Sequence, residues 1–469
     1  MSQTGDEAPY DVLVIGSGPG GYIAAFKAAQ LGLRAVGVER EFVGGVCLNV
    51  GCIPSKSLLK NAQVMHTLQD AKTYGIELGE FTADYGKAVD RSREVVKRFV
   101  NGVRFLYRKH KVELIEGEAK LAGRDGEAFS VAVGDRQLKA KNVILATGSR
   151  PNAFPGMEID GEVVQHSWQV VVNRERPERI VIVGGGIISC EMATLFRAYD
   201  CQVTILEALP HLLPGMDERI STLLERSFKR QGIEFQTGVK VESARRDGDK
   251  AKIVYGKDGQ QETIEADRCL VAVGIKPNSD GLGLEDLGVQ LERGYVKVDP
   301  KMQTNVPGLY AIGDVVLHPY ALAHVAFAEG VQAANAIAGV PVRPLNYDNM
   351  PRPVFSHPQV AAIGLTEQQA RERGYEVKLG EFPFSALGKA VAENDFEGVV
   401  RMVVDAKYGE ILGCHIIGPE ATELLSQVTP FKVLEGTSHE FEETVVSHPT
   451  LNEAVRHAAL VAEGVALEI

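Results

Sequence analysis

Two cysteines, Cys47 and Cys52, are separated by four intervening residues in GGVCLNVGCIPSK (residues 44–56), with Pro54 and Lys56 close behind. Such a pair could be a structural disulfide, part of a metal clip, two unrelated buried thiols or a redox couple. A closed zinc site wants four N/S ligands in paired short spacings, and this is the single close pair in the chain. The remaining cysteines, Cys190, Cys201, Cys269 and Cys414, stand alone and read as small, inert, buried side chains. Pro54 suits the first turn of a helix. That places Cys52 near a helix N-terminus, where the thiolate is favoured. Lys56, four residues on and on the same helical face, adds positive charge. Far along the chain, HPTLNE (448–453) puts His448 five positions before Glu453. A carboxylate there could hold the imidazole tautomer, as a base and its orienter require. Taken alone, such a histidine is more often a surface or capping residue.

The elements that must position these groups show a repeated pattern. YDVLVIGSGPGGYIAAFKAAQLGLRAVGVE (10–39) and RIVIVGGGIISCEMATLFRAYDCQVTILE (179–207) each run strand, glycine cluster, helix, strand, glutamate. The same 23 positions separate Gly16 from Glu39 and Gly184 from Glu207. Both strands in each unit are continuous apolar runs, as parallel strands covered on two faces require. Each unit is therefore expected to bind a dinucleotide. Gly16 and Gly184 permit the tight turn, and Gly18 and Gly186 let the backbone approach a pyrophosphate seated on the helix N-terminus. Glu39 and Glu207 are placed for ribose hydroxyls. In the second unit Ser189 stands in the place of the third glycine, which strains close packing without excluding it. Glu207 repels a 2′-phosphate and no arginine follows it in ALPHLLPG, so NAD is expected over NADP. Cys47 follows Glu39 by eight positions and must lie near the first dinucleotide. Two dinucleotides and a redox dithiol imply electron flow through a bound flavin and an exchangeable nicotinamide. The first unit is thus expected to hold FAD and the second NAD, and no metal is expected.

With these motifs in hand, the chain resembles the flavoprotein disulfide reductase family over nearly its whole length. The resemblance rests on GSGPGG (16–21), GGVCLNVGCIPSK (44–56), ATG (146–148), GGGIISCE (184–191), YAIGD (310–314), LAH (322–324) and HPTLNE (448–453). It implies that Cys47 is the interchange thiol meeting substrate and Cys52 the thiol against the flavin. It also implies that Lys56 lies near the flavin, paired with Glu191. Gly20, Gly21, Gly148, Asp314 and His324 would complete the FAD site, and Gly274 the NAD site. His448, oriented by Glu453, would be the acid–base, reaching the disulfide of the partner subunit in an obligatory homodimer.

The fold so implied is α/β. Residues 1–150 form an FAD-binding domain with the redox disulfide, 151–277 an NAD-binding domain, 278–346 a central domain completing the FAD site, and 347–469 an α+β dimerisation domain. The implied activity is oxidation of dihydrolipoamide borne on a protein of a 2-oxoacid dehydrogenase or glycine cleavage complex, with NAD as final acceptor. Reduction of another disulfide such as glutathione, or a mainly architectural role in a multienzyme complex, are the alternatives. Several positions depart from the family pattern: Ser189, Ile275 where arginine is usual, Val325 where lysine is common, Gln359 for glutamate, and Pro430 inside an expected helix.

Bulk properties agree with this reading. A length of 469 residues suggests about three domains. A hydrophobic share of 45% and a charged share of 24% are those of a globular protein. The formal charge of −12 argues against a nucleic-acid surface. No apolar run is long enough to span a membrane, and MSQTGDEAPY lacks the features of a signal peptide. A cytoplasmic protein is expected. Finally, residues 86–110 carry the spacing of an amphipathic helix, with Val89, Val96, Phe99, Val103 and Leu106 expected on its apolar side.

Overall fold

A computed structural model describes residues 8–257 and 259–468. Residues 1–7, most of the polar start read above, lie outside the described residues. The chain divides into two compact units, each assembled from three separated segments.

The first unit comprises Met1–Ser57, Lys87–Asn152 and Gly274–Tyr347. Its main sheet has a parallel part in the spatial order Glu113–Glu116, Ala35–Glu39, Tyr10–Ile15, Arg136–Leu145, Leu309–Ala311. The register places Leu13 opposite both Val36 and Val143. Strands Ala128–Val133 and Ala119–Asp125 extend the sheet as antiparallel hairpins. Val12, Leu13 and Val14 are wholly buried, each worth roughly 2 kcal/mol of hydrophobic transfer. This explains why the first strand is an unbroken apolar run. The strand order reverses beside Tyr10–Ile15, and such a switch point opens a ligand crevice at the carboxyl ends of the strands.

Helix Pro19–Gln30 packs on helix Ala323–Ile337 in this unit. The approach is close because Gly20 faces the second helix: a Cβ there would meet Ala326 O at 2.9 Å. Val325, where lysine is common, is fully buried in the same helix, and a charge at that position would lose its water. The expected amphipathic helix is present as Tyr85–Lys109. Its buried stripe is Tyr85, Ala88, Val89, Ser92, Val96, Val103 and Tyr107. Phe99, expected on that stripe, is 49% exposed. At 100° per residue it falls off the line from Val96 to Val103, and Tyr107 fills the end of the stripe instead.

The second unit comprises Leu58–Gly86, Ala153–Val273 and Asp348–Ile469. One all-parallel sheet runs Glu234–Gln236, Gln202–Leu206, Arg179–Val183, Arg268–Val271, Val164–His166. A three-stranded antiparallel sheet, Lys240–Asp247, Lys250–Lys257 and Gln260–Ala266, shares its core. A separate five-stranded antiparallel sheet, with Gln359–Gly364, Ile411–Gly418 and Val399–Asp405 at its centre, is covered by helix Glu453–Glu463. Pro430 lies in the first turn of a short helix, Thr429–Val433, where its missing N–H costs nothing. Gln359 accepts hydrogen bonds from Thr422 Oγ1 (2.8 Å) and Thr422 N (3.2 Å), a task its amide oxygen performs without a charge.

Candidate active site and nucleotide cradles

The two glycine fingerprints close in the same way. Gly16 has φ +104 and Gly184 φ +101, a backbone state that L side chains rarely adopt. After each turn the strand-end acid locks onto the loop. Glu39 Oε2 accepts from Ser17 N at 2.7 Å, while its Oε1 accepts from Glu41 N and Phe42 N at 2.8 and 3.0 Å. Glu207 Oε2 accepts from Gly185 N, and Oε1 from Leu209 N at 2.7 Å. Both carboxylates are therefore rotamerically fixed beside the glycine turn, with further lone pairs for hydroxyl donors. The helices that follow, Pro19–Gln30 and Ile187–Ala198, start at Gly18 and Gly186 with no side-chain cap. Their first-turn N–H groups are thus left for an anion. This uncapped, glycine-lined start is the observation on which both sites fit a dinucleotide pyrophosphate. Gly21 also has a packing reason, because a Cβ there would collide with Gly16 O.

Ser189 sits wholly buried in the second of these helices, and its Oγ has no hydrogen-bond partner. The glycine-to-serine change therefore costs desolvation of a hydroxyl rather than backbone strain.

Within the first unit, Cys47 lies on the short helix Gly45–Asn49, and Cys52 opens helix Cys52–Gln69. Pro54 and Lys56 follow in its opening turns. Both cysteines are partly exposed free thiols. A hydrogen bond to Cys52 first, then burial and the charge of Cys52, push the Cys47 thiol far up, against a lowering by Lys56. Burial, and then Cys47 and Cys52, push the Tyr22 phenol up to about 12, which marks Tyr22 as a neighbour of the thiols that the sequence did not single out. Gly148 has φ +66 in the loop after strand Arg136–Leu145. Asp314 sits in the tight turn Gly313–Val315, and its Oδ2 accepts from Ser149 Oγ at 2.8 Å. Burial raises its carboxyl above the usual range. His324 is the second residue of helix Ala323–Ile337. Gly274, with φ +100, begins the last segment of this unit.

In the second unit, Glu191 is buried and its Oε1 accepts from Phe355 N at 3.0 Å. His448 and Glu453 are brought together: Nδ1 and Oε2 are 3.0 Å apart. Glu453 begins helix Glu453–Glu463, and its Oε1 accepts from Thr450 N at 2.6 Å. A carboxylate only accepts, so Nδ1 carries the proton and Nε2 is the free basic atom. The His448 side chain is 79% exposed while Glu453 is 12% exposed, which leaves the base open to a partner and its orienter anchored. The hydrogen bond and charge of Glu453 raise the imidazole above its ordinary value. Thr450, which fixes the second carboxylate oxygen, was not anticipated. Its signal was its place three residues before an acid at a helix start.

Uncapped glycine turns after parallel strands in two sheets, a thiol pair at a helix start and a histidine–carboxylate dyad together define a nucleotide-dependent redox protein acting on sulfur. Comparison with known proteins agrees. Residues 10–330 match the family model described as pyridine nucleotide-disulphide oxidoreductase, and residues 350–459 match its dimerisation domain. The chain belongs to that family and is an oxidoreductase with FAD and NAD as its cofactors. At the level of individual proteins, it is 45% identical to the dihydrolipoyl dehydrogenase of Mycobacterium leprae, over 95% of this chain and 97% of that one. It is 39% identical to the dihydrolipoyl dehydrogenase of Bacillus subtilis, over 98% and 99%. Among solved structures, LpdA from Mycobacterium tuberculosis superposes with a TM-score of 0.88 at 25% identity, covering 96% of this chain and 98% of that one. The HOCl-induced flavoprotein disulfide reductase RclA from Escherichia coli gives 0.84 at 26% identity, covering 96% and 100%. No helix among the described residues is long and apolar enough to cross a membrane.

Proposed function

We propose that this chain oxidises dihydrolipoamide carried on a protein of a 2-oxoacid dehydrogenase or glycine cleavage complex, as a cytoplasmic homodimer. The observation that carries the reading is full-length similarity to dihydrolipoyl dehydrogenases with both halves of the sulfur chemistry retained: Cys47 and Cys52 at a helix start, and the His448–Glu453 dyad. FAD, held by Gly16, Gly18, Gly20, Gly21, Glu39, Lys56, Gly148, Asp314 and His324, supplies a two-electron carrier between the thiols and NAD. Gly184, Gly186 and Glu207 hold the NAD.

The chain's own residues do the following. His448 Nε2 takes the proton of one substrate thiol, and Glu453 stabilises the imidazolium through Nδ1–H. The substrate thiolate attacks Cys47 Sγ of the oxidised pair in the partner subunit. The Cys47–Cys52 bond breaks, and its electron pair leaves on Cys52 at the helix N-terminus, where negative charge is favoured. The second substrate thiol, deprotonated in turn, attacks the first substrate sulfur. As that second thiol attacks, its proton passes to the departing Cys47 sulfur, the Cys47–substrate bond breaks and lipoamide closes. The thiolate fraction that His448 provides sets the rate of such exchange. Lys56, four residues beyond Cys52 on the same helix, contributes positive charge beside the thiol pair. Ribose hydroxyls bind Glu207, and a 2′-phosphate there would meet a fixed carboxylate, so NAD is the nucleotide used.

The test is an anaerobic titration of the purified protein with dihydrolipoamide. A long-wavelength thiolate-to-flavin absorption band and NAD-dependent turnover are expected, with NADPH and glutathione disulfide inert in parallel. Absence of the band, together with full activity of Cys52→Ser, would refute the reading.

A further inference from the structure

Glu329 takes no part in this chemistry, yet it is a fully buried carboxylate and the one acid of helix Ala323–Ile337. Burying a carboxylate costs several kcal/mol unless its oxygens are well bonded, so its partners are informative. Oε2 accepts from Gly313 N at 2.6 Å, and Oε1 accepts from Tyr347 Oη at 2.6 Å. His318 holds the other side of the same residue: its Nε2 donates to Gly313 O at 3.1 Å, and lies 3.7 Å from Glu329 Oε1. The His318 ring stacks on Tyr347, with centroids 5.8 Å apart and planes at 17°. Its side chain is 4% exposed, and Nδ1 is buried without a hydrogen-bond partner. Gly313 therefore has both its N–H and its C=O gripped by buried side chains, in a left-handed conformation with φ +69. The next residue is Asp314. Every member of the cluster belongs to the first unit.

We propose that Glu329, Tyr347 and His318 form a buried clamp on Gly313 that aims Asp314 at the ribityl chain of FAD, making Glu329 a positioning residue for the cofactor. The inference rests on the FAD reading above. Packing alone would be served by an apolar side chain in this helix; a charge-assisted bond to a single backbone N–H is what a carboxylate adds. The groups facing Glu329 are His318, Tyr347 and Asp314. Burial raises the Glu329 carboxyl and His318 lowers it, followed by the Tyr347 and Gly313 hydrogen bonds, with Asp314 acting as a like charge. Because that affinity for a proton is raised, the clamp is charged above the raised value and loosens as pH falls through it.

The experiment measures FAD uptake by the full-length protein after flavin removal, followed by flavin fluorescence across pH, for the parent, Glu329→Gln, Tyr347→Phe and the double variant. Each single change is expected to weaken FAD binding roughly tenfold, the scale of a lost hydrogen bond to a charged group. The double variant should be far from additive, as members of one network are. The parent should lose FAD affinity toward acid pH more steeply than Glu329→Gln, a difference that simple loss of fold stability would not produce. Tyr347→Phe keeps the carboxylate and carries the test if the glutamine variant does not fold. FAD affinities within about twofold of the parent at every pH, with only the melting temperature lowered, overturn the clamp. A parent that takes up no FAD overturns the cofactor reading itself, and does so before any variant is made.

Discussion

Gly380 offers a direct test of how the dyad is held. It lies on strand Val377–Pro383, under the helix that begins with Glu453. A Cβ at Gly380 would collide with Ala458 O, and would stand 2.8 Å from Ala462 N and 2.9 Å from Ala458 C. All three are backbone atoms of that helix, so no side chain can swing away. A comfortable contact is about 3.5 Å, so Gly380→Ala must part strand and helix by well over the ~0.7 Å that Ala462 N alone would require, because Ala458 O lies nearer still. Overpacking of this kind costs about 1–3 kcal/mol, or a drop of roughly 2–6 °C in melting temperature for a unit of this size. The larger effect should be functional. Helix displacement carries Glu453 away from His448, and a misplacement near 1 Å can cost about 100-fold in rate. Steady-state oxidation of dihydrolipoamide should fall by that order, while reduction of the flavin by NADH, which does not use His448, should be retained. An unchanged melt with unchanged dihydrolipoamide turnover would show that the helix is not seated on Gly380. Equal loss in both reactions would refute the argument that the damage reaches catalysis through Glu453.

Two further substitutions probe particular groups. Ser189→Ala removes a buried hydroxyl with no partner, so stability should rise by about 1 kcal/mol with NAD affinity unchanged; a lower melting temperature contradicts this. Glu453→Gln removes what raises the His448 imidazole. Because a raised group is basic only above its raised value, the acid limb of kcat/KM for dihydrolipoamide oxidation should move to lower pH. The maximum should fall on the order of 100-fold, as general-base contributions do, and a limb that stays in place would mean that His448 is not the group being titrated.

Much of the local structure was legible because it depends on neighbours in the chain. Both dinucleotide units follow from an apolar strand, a glycine that must take positive φ, and an acid at a set distance. The helix start at Cys52 follows from Pro54, and the dyad from the resemblance of HPTLNE to the family pattern rather than from its spacing. Even the helix at 85–109 was found within a residue of its ends, although Phe99 was assigned to the wrong face. Its position is decided by which rows of side chains the sheet accepts, and Tyr107 reaches that surface where Phe99 does not. Other features needed the folded chain because they join residues distant in sequence. The first unit draws its parallel sheet from three segments, and strand Leu309–Ala311 pairs with Arg136–Leu145. Nothing local in the sequence distinguishes Glu329, and only the fold brings Gly313 and Tyr347 onto it. The lack of a partner for the Ser189 hydroxyl, likewise, is a property of its surroundings. Turn chemistry and periodicity are encoded over a few residues and can be read in order. Which buried polar groups meet, and which are left alone, is settled only when long-range packing closes around them.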